Sequence, residues 1–317
     1  MNVKKTLDFV KGSVARKDFV PALTHLQMKD GFVYGFNGTL SLGARIDLDL
    51  NATPKAVTFI KAINSCGGSI DLSLTDSGKL RLKSKALTVH IPCHPEELPV
   101  GMPTGKQVYL GGEIIPALRS VAPFIAQDAS RPWARGVYLN GPFANATNNI
   151  CVVQSWLGFD FPVTAVIPEE AVKEILRVKE EPEFLLVNDS ALTFCYSKER
   201  WITTSLLDPS WPDLTALLDR PCKPSPFPDG FFDALTELQP FCEATKEIHF
   251  FDGRLSTGRD DESTYLDCAT VSDSGCFNVE QLLHLKGRAT KVDFSMYPEA
   301  CLFYGLKLRG AIIGIAV

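Results

Sequence analysis

A helix pattern followed by strands decides the fold, and it is clearest in residues 168–207. The helix pattern reads PEEAVKEILR at 168–177, where Val172, Ile175 and Leu176 fall on one face. A strand pattern follows at 183–187, then a turn at 188–190 and further strands over 192–207. The helix thus has an apolar face that can cover the strands after it.

The same layout occurs twice more along the chain. In each copy a turn residue follows the start of the helix pattern by 21 or 22 positions. The three pairs of start and turn are Pro54 and Asp76, Pro168 and Asp189, and Asn278 and Glu299. A second helix pattern that leads into strands precedes each copy, starting at Val3, Ile114 and Phe231. The chain is therefore six helix-then-strands units.

These six units group into three domains of two. Proline and glycine clusters at 98–103 and 221–228 mark the boundaries. We predict domains at 1–104, 105–222 and 223–317. Because strands dominate and turns are short, we expect an α+β fold with two helices in each domain packed on antiparallel sheets.

Composition narrows the class of protein. The 317 residues are 45% hydrophobic and 22% charged, which excludes a disordered chain. With no apolar run of about 18 residues and no signal-peptide core, we expect a cytoplasmic protein without a membrane partner. Nine cysteines, an odd number with no CxxC pair, indicate reduced core thiols. The net charge of −5 alone argues against binding to a phosphate backbone.

Several segments carry a family resemblance along the whole chain. They are FVPAL at 19–23, ELP at 97–99, RGVYLNG at 135–141, VIP at 166–168, TTSLLDPSWPD at 203–213 and FNV at 277–279. With these segments in this order, the sequence resembles the beta sliding clamp of bacterial DNA polymerase III, in a shortened form of the kind that a bacteriophage encodes.

The resemblance implies a three-domain clamp chain that forms a head-to-tail homodimer, a closed ring of six domains. Its helices would line a hole for duplex DNA. The closed ring would stay on the DNA because it encircles it, so no contact with particular bases would be needed. The partners would be a DNA polymerase, whose processivity the ring supports at the replication fork of a bacterial or phage-infected cell, and an ATP-dependent clamp loader. No cofactor is implied.

The helical stretches carry a small net positive charge, as a ring with DNA in its hole would require. The six helical stretches contain 13 Lys and Arg and 10 Asp and Glu, a net of +3, which leaves −8 for the rest. Candidate DNA contacts are Lys4, Lys11, Arg16, Lys17, Lys55, Lys61, Arg119, Lys173, Arg177, Lys286 and Arg288. Each could equally belong to a solvated helix face or pair with a nearby acid. The stretch 229–243, with four acids and no base, departs from a basic lining.

Two further sites follow from the resemblance. Clamps bind short peptide motifs of polymerase and loader in an apolar pocket between the second and third domains. The positions that resemble this pocket are Trp156, Leu157, Pro221, Ile315 and Val317. The family's His-Arg pair is absent here, and Trp156 could instead be a core aromatic. Positions at the ring seam are Leu87, Val89 and Phe241, each of which could also be plain core.

Sequence motifs for chemistry are missing. There is no phosphate-binding glycine loop, no GxSxG and no HExxH. His90-Ile91-Pro92-Cys93-His94 lacks a partner at metal-binding spacing, and Asp260-Asp261-Glu262 reads as an exposed loop rather than a hydrolase centre. We expect no enzyme and no metal. The alternative to a clamp on DNA is a clamp-fold scaffold that binds proteins and no longer encircles DNA.

Overall fold

The chain forms two compact units in a computed structural model that describes residues 3–15, 17, 19–85, 87–128, 130–208, 210–242, 244–260, 262–268 and 274–316. The first unit takes its residues from 1–110 and 170–206, the second from 111–169 and 207–317. Among the described residues, none of the helices has the length and apolar content needed to cross a lipid bilayer.

Short helices and many strands alternate along the described ranges. The α-helices are α1 Val3–Val10, α2 Ala56–Ser65, α3 Ile115–Val121, α4 Glu169–Val178, α5 Thr215–Leu218, α6 Phe231–Leu238 and α7 Val279–His284. The strands are β1 Gln27–Lys29, β2 Phe32–Phe36, β3 Leu40–Arg45, β4 Asp71–Leu74, β5 Leu80–Ser84, β6 Leu87–Ile91, β7 Lys106–Tyr109, β8 Gly136–Thr147, β9 Cys151–Pro168, β10 Phe184–Val187, β11 Ala191–Ser197, β12 Arg200–Ser205, β13 Ser225–Pro226, β14 Glu247–Phe251, β15 Arg254–Ser256, β16 Tyr265–Asp267, β17 Gly275–Asn278, β18 Lys291–Val292, β19 Ala300–Tyr304 and β20 Leu308–Ile313.

Asparagine side chains shape three of the hairpin turns. Between β10 and β11, Asn188 Oδ1 accepts hydrogen bonds from the backbone N–H groups of Ser190 at 3.0 Å and Ala191 at 2.8 Å. Asn37 before β3 and Asn148 before β9 accept two backbone N–H groups in the same way. Such a side chain replaces a backbone acceptor in the turn, so the reversal is encoded locally.

The first unit is built on a seven-stranded antiparallel sheet in the order β1-β2-β3-β12-β11-β10-β7. At its centre β3 pairs with β12, where Leu42 lies opposite Ile202. The sheet thus takes strands from both sides of residue 104, one of the predicted boundaries, and that three-domain division stays a prediction. A separate three-stranded sheet has the order β4-β5-β6.

One face of the large sheet is filled by aromatic residues around Trp201. This side chain is 2% exposed and packs in a cluster with Tyr34 and Phe184. Its ring lies directly over Gly43, the residue paired with it across the strands, and a Cβ there would be 2.2 Å from Trp201 Cζ2. Only glycine leaves room for the indole at this point, because interiors are packed without spare volume.

The second unit contains a six-stranded sheet, β13-β18-β19-β20-β9-β8, and a four-stranded sheet, β16-β15-β14-β17. Four phenylalanine rings, Phe231, Phe250, Phe277 and Phe294, pack with centroids 5.1 to 6.1 Å apart. Phe231 begins α6, while Phe250 and Phe277 belong to β14 and β17. This aromatic cluster holds α6 on the smaller sheet, since such rings bury large apolar areas.

Each of the six predicted helix patterns contains a helix, and the strand patterns are mostly present. One strand is shorter than expected, because the strand predicted over 291–296 ends at Val292. Buried Asp293 accepts hydrogen bonds from the N–H and hydroxyl of Ser295 and starts a 3-10 helix at Phe294–Met296. None of the nine cysteines, all of which the structure describes, is paired in a disulfide, and seven are buried, as expected of thiols in the core.

Arg177 on α4 joins that helix to α1 within the first unit. Its guanidinium donates to the backbone carbonyls of Asp8 at 3.0 Å and Phe9 at 2.6 Å, at the carboxyl end of α1. Its Nε donates to Glu174 at 2.6 Å, and the Glu174 carboxylate lies against Gly12, where a Cβ would be 1.9 Å from Oε2. Arg177, predicted as a DNA contact, thus satisfies helix carbonyls that have no partner within α1.

Replacing Arg177 by methionine should lower the free energy of unfolding by about 1–3 kcal/mol, because the two carbonyls of α1 lose their donors and Glu174 loses its charge partner. Urea titration followed by circular dichroism measures the change. The matched control is Arg119→Met, an exposed arginine in the last turn of α3, which should change the value by less than about 0.5 kcal/mol. Equal effects of the two substitutions would contradict the assigned role.

Candidate functional site

Basic side chains on the helices of the first unit form a partly open surface. Lys4 on α1 donates to the carbonyls of Asn64 at 3.3 Å and Cys66 at 2.9 Å, at the end of α2. Lys11, just after α1, pairs with Asp8. Both lysines are exposed, but each already contacts an acceptor of the protein.

The other predicted DNA contacts of this unit are placed differently. Lys61 on α2 and Lys173 on α4 are exposed, and Lys55 is half-buried at the start of α2. Exposed Lys17 has its Nζ 5.7 Å from the ring centroid of Phe19, a cation–π distance. Arg16 lies outside the described residues.

A hollow of about 550 Å³ opens between these helices in the first unit. Four basic and two acidic side chains line it: Lys4, Lys5, Arg177, Arg200, Asp8 and Glu180. Arg200 pairs with Glu180, and Arg177 is bound to α1, so Lys4 and Lys5 supply most of the remaining positive charge. The hollow has room for solvent and an excess of positive charge.

In the second unit the predicted basic contacts are largely paired. Lys286 forms an ion pair of 2.9 Å with Asp233 on α6. Arg288 donates to the His284 carbonyl at 2.9 Å, at the end of α7, and its burial lowers the pKa of the guanidinium. Arg119 on α3 is exposed. The acidic character of α6 is thus partly neutralised by Lys286, two residues after the end of α7, while the free positive charge of these helices stays small.

An apolar cavity of about 200 Å³ lies in the second unit beside α5. Its lining includes Val152 and Ala311, which face each other on β9 and β20. Leu214, just before α5, and Leu217, within it, add further apolar surface, as does half-exposed Ile313 at the end of β20. A small concave surface of this kind suits a single apolar side chain of a ligand.

Three aromatic rings extend the apolar cavity toward a second hollow. Trp211 stacks on Tyr138 with centroids 5.2 Å apart and meets the edge of Trp133 at 5.3 Å. Trp133 lines the apolar cavity, while Tyr138 and Trp211 line a second hollow of about 400 Å³. The second hollow is more polar, with Asn140, Asn145, Gln154, Asp213 and Arg309 around it. Together the two form a groove with an apolar end and a polar end.

The described residues predicted for the peptide pocket do not line this cavity, and their role stays a prediction. Trp156 is half-exposed and Leu157 is buried, both on β9, and Pro221 is exposed after α5. Ile315 donates its backbone N–H to the Cys276 carbonyl at 2.7 Å. Val317 is not among the described residues. None of the four described residues lines the cavity, which instead uses Trp133, Leu214, Leu217 and Ile313. Among the segments that carry the family resemblance, residues 203–213 come nearest to the cavity, because Pro212 is part of its lining.

The three residues predicted at a ring seam are accessible to different degrees. Leu87 is 37% exposed and Val89 half-buried, both on β6, an edge strand of the three-stranded sheet. Phe241 is 64% exposed and follows α6 in the 3-10 helix Gln239–Cys242. Exposed apolar side chains next to an unpaired strand edge are features of surfaces that bind another chain.

Comparison with known proteins finds similar structures but no similar sequence. Neither a family model nor a curated protein sequence matches the chain. Among solved structures, the beta sliding clamp of Caulobacter crescentus is similar with a TM-score of 0.83 and 17% identity, covering 100% of this chain and 97% of that one. The DNA polymerase sliding clamp of Pseudomonas aeruginosa has a TM-score of 0.83 at 16% identity over 100% and 98% of the two chains. That of Bacillus subtilis has 0.82 at 14% over 99% and 97%. The chain therefore has the fold of the bacterial DNA polymerase III beta sliding clamps.

Proposed function

We propose that this protein is a DNA sliding clamp, a processivity factor that encircles duplex DNA as a homodimer and tethers a polymerase. The observation that carries the proposal is the similarity to sliding clamps along the full chain, at TM-scores near 0.8. Two copies of a chain with domains at 1–104, 105–222 and 223–317 supply the six domains of such a ring. A closed ring keeps the polymerase near the primer end at high effective concentration without chemistry of its own.

Contact with DNA in this proposal is loose and independent of base sequence. Exposed lysines such as Lys5 and Lys61 in the first unit, and Arg119 in the second, are long side chains that can reach phosphates. Several other bases are bound to helix carbonyls or acids, so few phosphates are neutralised. Retention then depends mainly on ring closure, which salt does not screen as strongly as it screens direct phosphate contacts.

The groove beside α5 is proposed to bind the extended peptide segments through which a polymerase and a clamp loader attach. The cavity of Val152, Leu217 and Ile313 would take an apolar side chain such as leucine or phenylalanine. Polar groups of the neighbouring hollow, among them Gln154 and Asp213, would hydrogen-bond the rest of the peptide. This arrangement gives an anchor at one end and specificity at the other.

A second function, a protein-binding scaffold that does not encircle DNA, has one observation in its favour. On α6, Asp233 and Glu237 are exposed acids, and Lys286, which follows α7, pairs with Asp233. A helix of this charge would repel a phosphate backbone. The two functions are distinguished by assembly and by topological retention on DNA.

For the clamp, we expect sedimentation equilibrium at micromolar concentration to give a mass of twice 34.8 kDa. Dilution should dissociate the dimer, and concentration in the presence of nicked circular DNA should let it close around the circle. The protein should then remain bound through gel filtration at high salt. Cutting the circle once should release it, because a ring slides off a linear end.

A monomer, or binding that is equal on circular and linear DNA, would reject the ring and favour the scaffold. The matched control is the circle treated with a restriction enzyme for which it has no site. It should retain the protein, since the nicked circle stays closed.

Substituting Ile313 by aspartate should weaken peptide binding at least about tenfold, because the cavity loses an apolar wall and the new carboxylate would lose water when the apolar side chain of the peptide binds. Fluorescence anisotropy of a labelled peptide from the clamp-binding segment of a bacterial replicative polymerase gives the affinity. Leu306→Asp is the matched control, since Leu306 is 97% exposed and lines neither hollow. An Ile313 variant that is folded and binds as tightly as the Leu306 variant would locate the peptide elsewhere.

A further inference from the structure

Three potential metal ligands meet on one face of the smaller sheet of the second unit. Glu247 and His249 are two positions apart on β14, so their side chains leave the same face. Cys276 on β17 is directly opposite His249 in the antiparallel register. One oxygen, one nitrogen and one sulfur from these residues lie within 4.8 Å of one another.

The separations in this cluster are close to those around a bound metal. His249 Nε2 is 3.8 Å from Glu247 Oε2 and 3.9 Å from Cys276 Sγ. With zinc bonds of about 2.0–2.1 Å to nitrogen and oxygen and about 2.3 Å to sulfur, tetrahedral ligands are roughly 3.3–3.6 Å apart. The two distances from His249 Nε2 exceed these values by roughly half an ångström or less, and the ligand atoms of Glu247 and Cys276 lie within 4.8 Å of each other.

The imidazole of His249 is poorly satisfied by the protein alone. The residue is 6% exposed, and its Nδ1 is buried with no hydrogen-bond partner among the described residues. The two contacts of Nε2, at 3.8 and 3.9 Å, are longer than ordinary hydrogen bonds. A bond from Nε2 to a metal ion would replace these two long contacts and would leave the ring hydrogen on Nδ1.

Access and charge at the cluster also suit a cation. The Glu247 side chain is one-third exposed, so the cluster opens to solvent on that side while His249 and Cys276 are buried. Glu247 contributes one negative charge, and the cysteine contributes a second when its thiol proton leaves. Arg259, a base near enough to affect His249, opposes a cation, but it is exposed, so water screens its charge.

We propose that Glu247, His249 and Cys276 bind one Zn²⁺ ion, with a water molecule as the fourth ligand. Binding releases the thiol proton of Cys276 to solvent as the zinc–sulfur bond forms, so one proton leaves for each ion bound. Mixed sulfur, nitrogen and oxygen ligands select zinc over magnesium or calcium, which require oxygen ligands. The proposal does not depend on the clamp function.

The ion would stabilise the end of the chain as well as the sheet. It cross-links β14 to β17, and the Cys276 carbonyl accepts the N–H of Ile315 at 2.7 Å. Tyr297 holds the same segment by donating its hydroxyl to the Ile315 carbonyl at 2.6 Å. The segment 314–316 is therefore attached to the strand that carries the sulfur ligand, so a bound ion would stabilise this segment together with the sheet.

Cobalt substitution tests the site in the full, untagged chain. Co²⁺ added to metal-free protein under reducing conditions should produce a thiolate-to-cobalt charge-transfer band that saturates at one ion per chain. One equivalent of Zn²⁺ should abolish the band. Absence of the band, or saturation only with a large excess of cobalt, would overturn the proposal.

Two variants and one control assign the ligands. Cys276→Ser should lose the band, whereas Cys301→Ser, which replaces another fully buried thiol of the same unit, should keep it. Glu247→Gln, a replacement of equal size at a partly exposed position, should retain the band but weaken cobalt binding about tenfold or more. A band that persists in Cys276→Ser would overturn the assignment. Should that variant fail to fold, unchanged affinity in Glu247→Gln would do the same.

Discussion

Backbone hydrogen bonds between β3 and β12 are the interaction on which the first unit depends. They join Leu42 to Ile202 and so close a segment of about 160 residues, a loop whose ordering costs entropy before any contact is gained. Once closed, the two groups of strands become one sheet, and Trp201 meets Gly43 across the joint. In the second unit, the pairing of β9 with β20, where Val152 lies opposite Ala311, joins distant segments in the same way. Without these two joints, each group of strands would expose an edge and half a core.

Many of the basic side chains on the helices serve the fold before they can serve a ligand. Lys4 satisfies carbonyls at the end of α2, Arg177 does so for α1, and Arg288 for α7. Cations placed at helix carboxyl ends interact favourably with the unpaired carbonyls and the helix dipole. A count of charges along the sequence therefore overstates the positive charge that is available. For the proposed clamp this means weak contact with phosphates and retention by closure.

Local features could be predicted from the sequence, and distant associations could not. The six helix patterns and the turn at Asn188 depend on residues within a few positions of each other. The predicted pocket residues Trp156 and Leu157 were placed by motif, whereas the cavity is formed by side chains from several segments, including Trp133, Val152 and Leu217. The three-domain boundaries, the DNA contacts, the pocket residues and the seam residues remain predictions. The strand expected at 291–296 failed because Asp293 binds Ser295, a local competition that the alternation did not reveal.

The sequence by itself determined the order of helices and strands, the location of most cysteines in the core and the resemblance to sliding clamps. Apolar periodicity and turn residues act over a few positions, which is why they can be read along the chain. Only the tertiary structure decided which strands share a sheet, where the apolar cavity lies, and that Glu247, His249 and Cys276 meet on one face. The physical reason is that strand pairing fixes these neighbours across large sequence separations, and no spacing in the chain records the register.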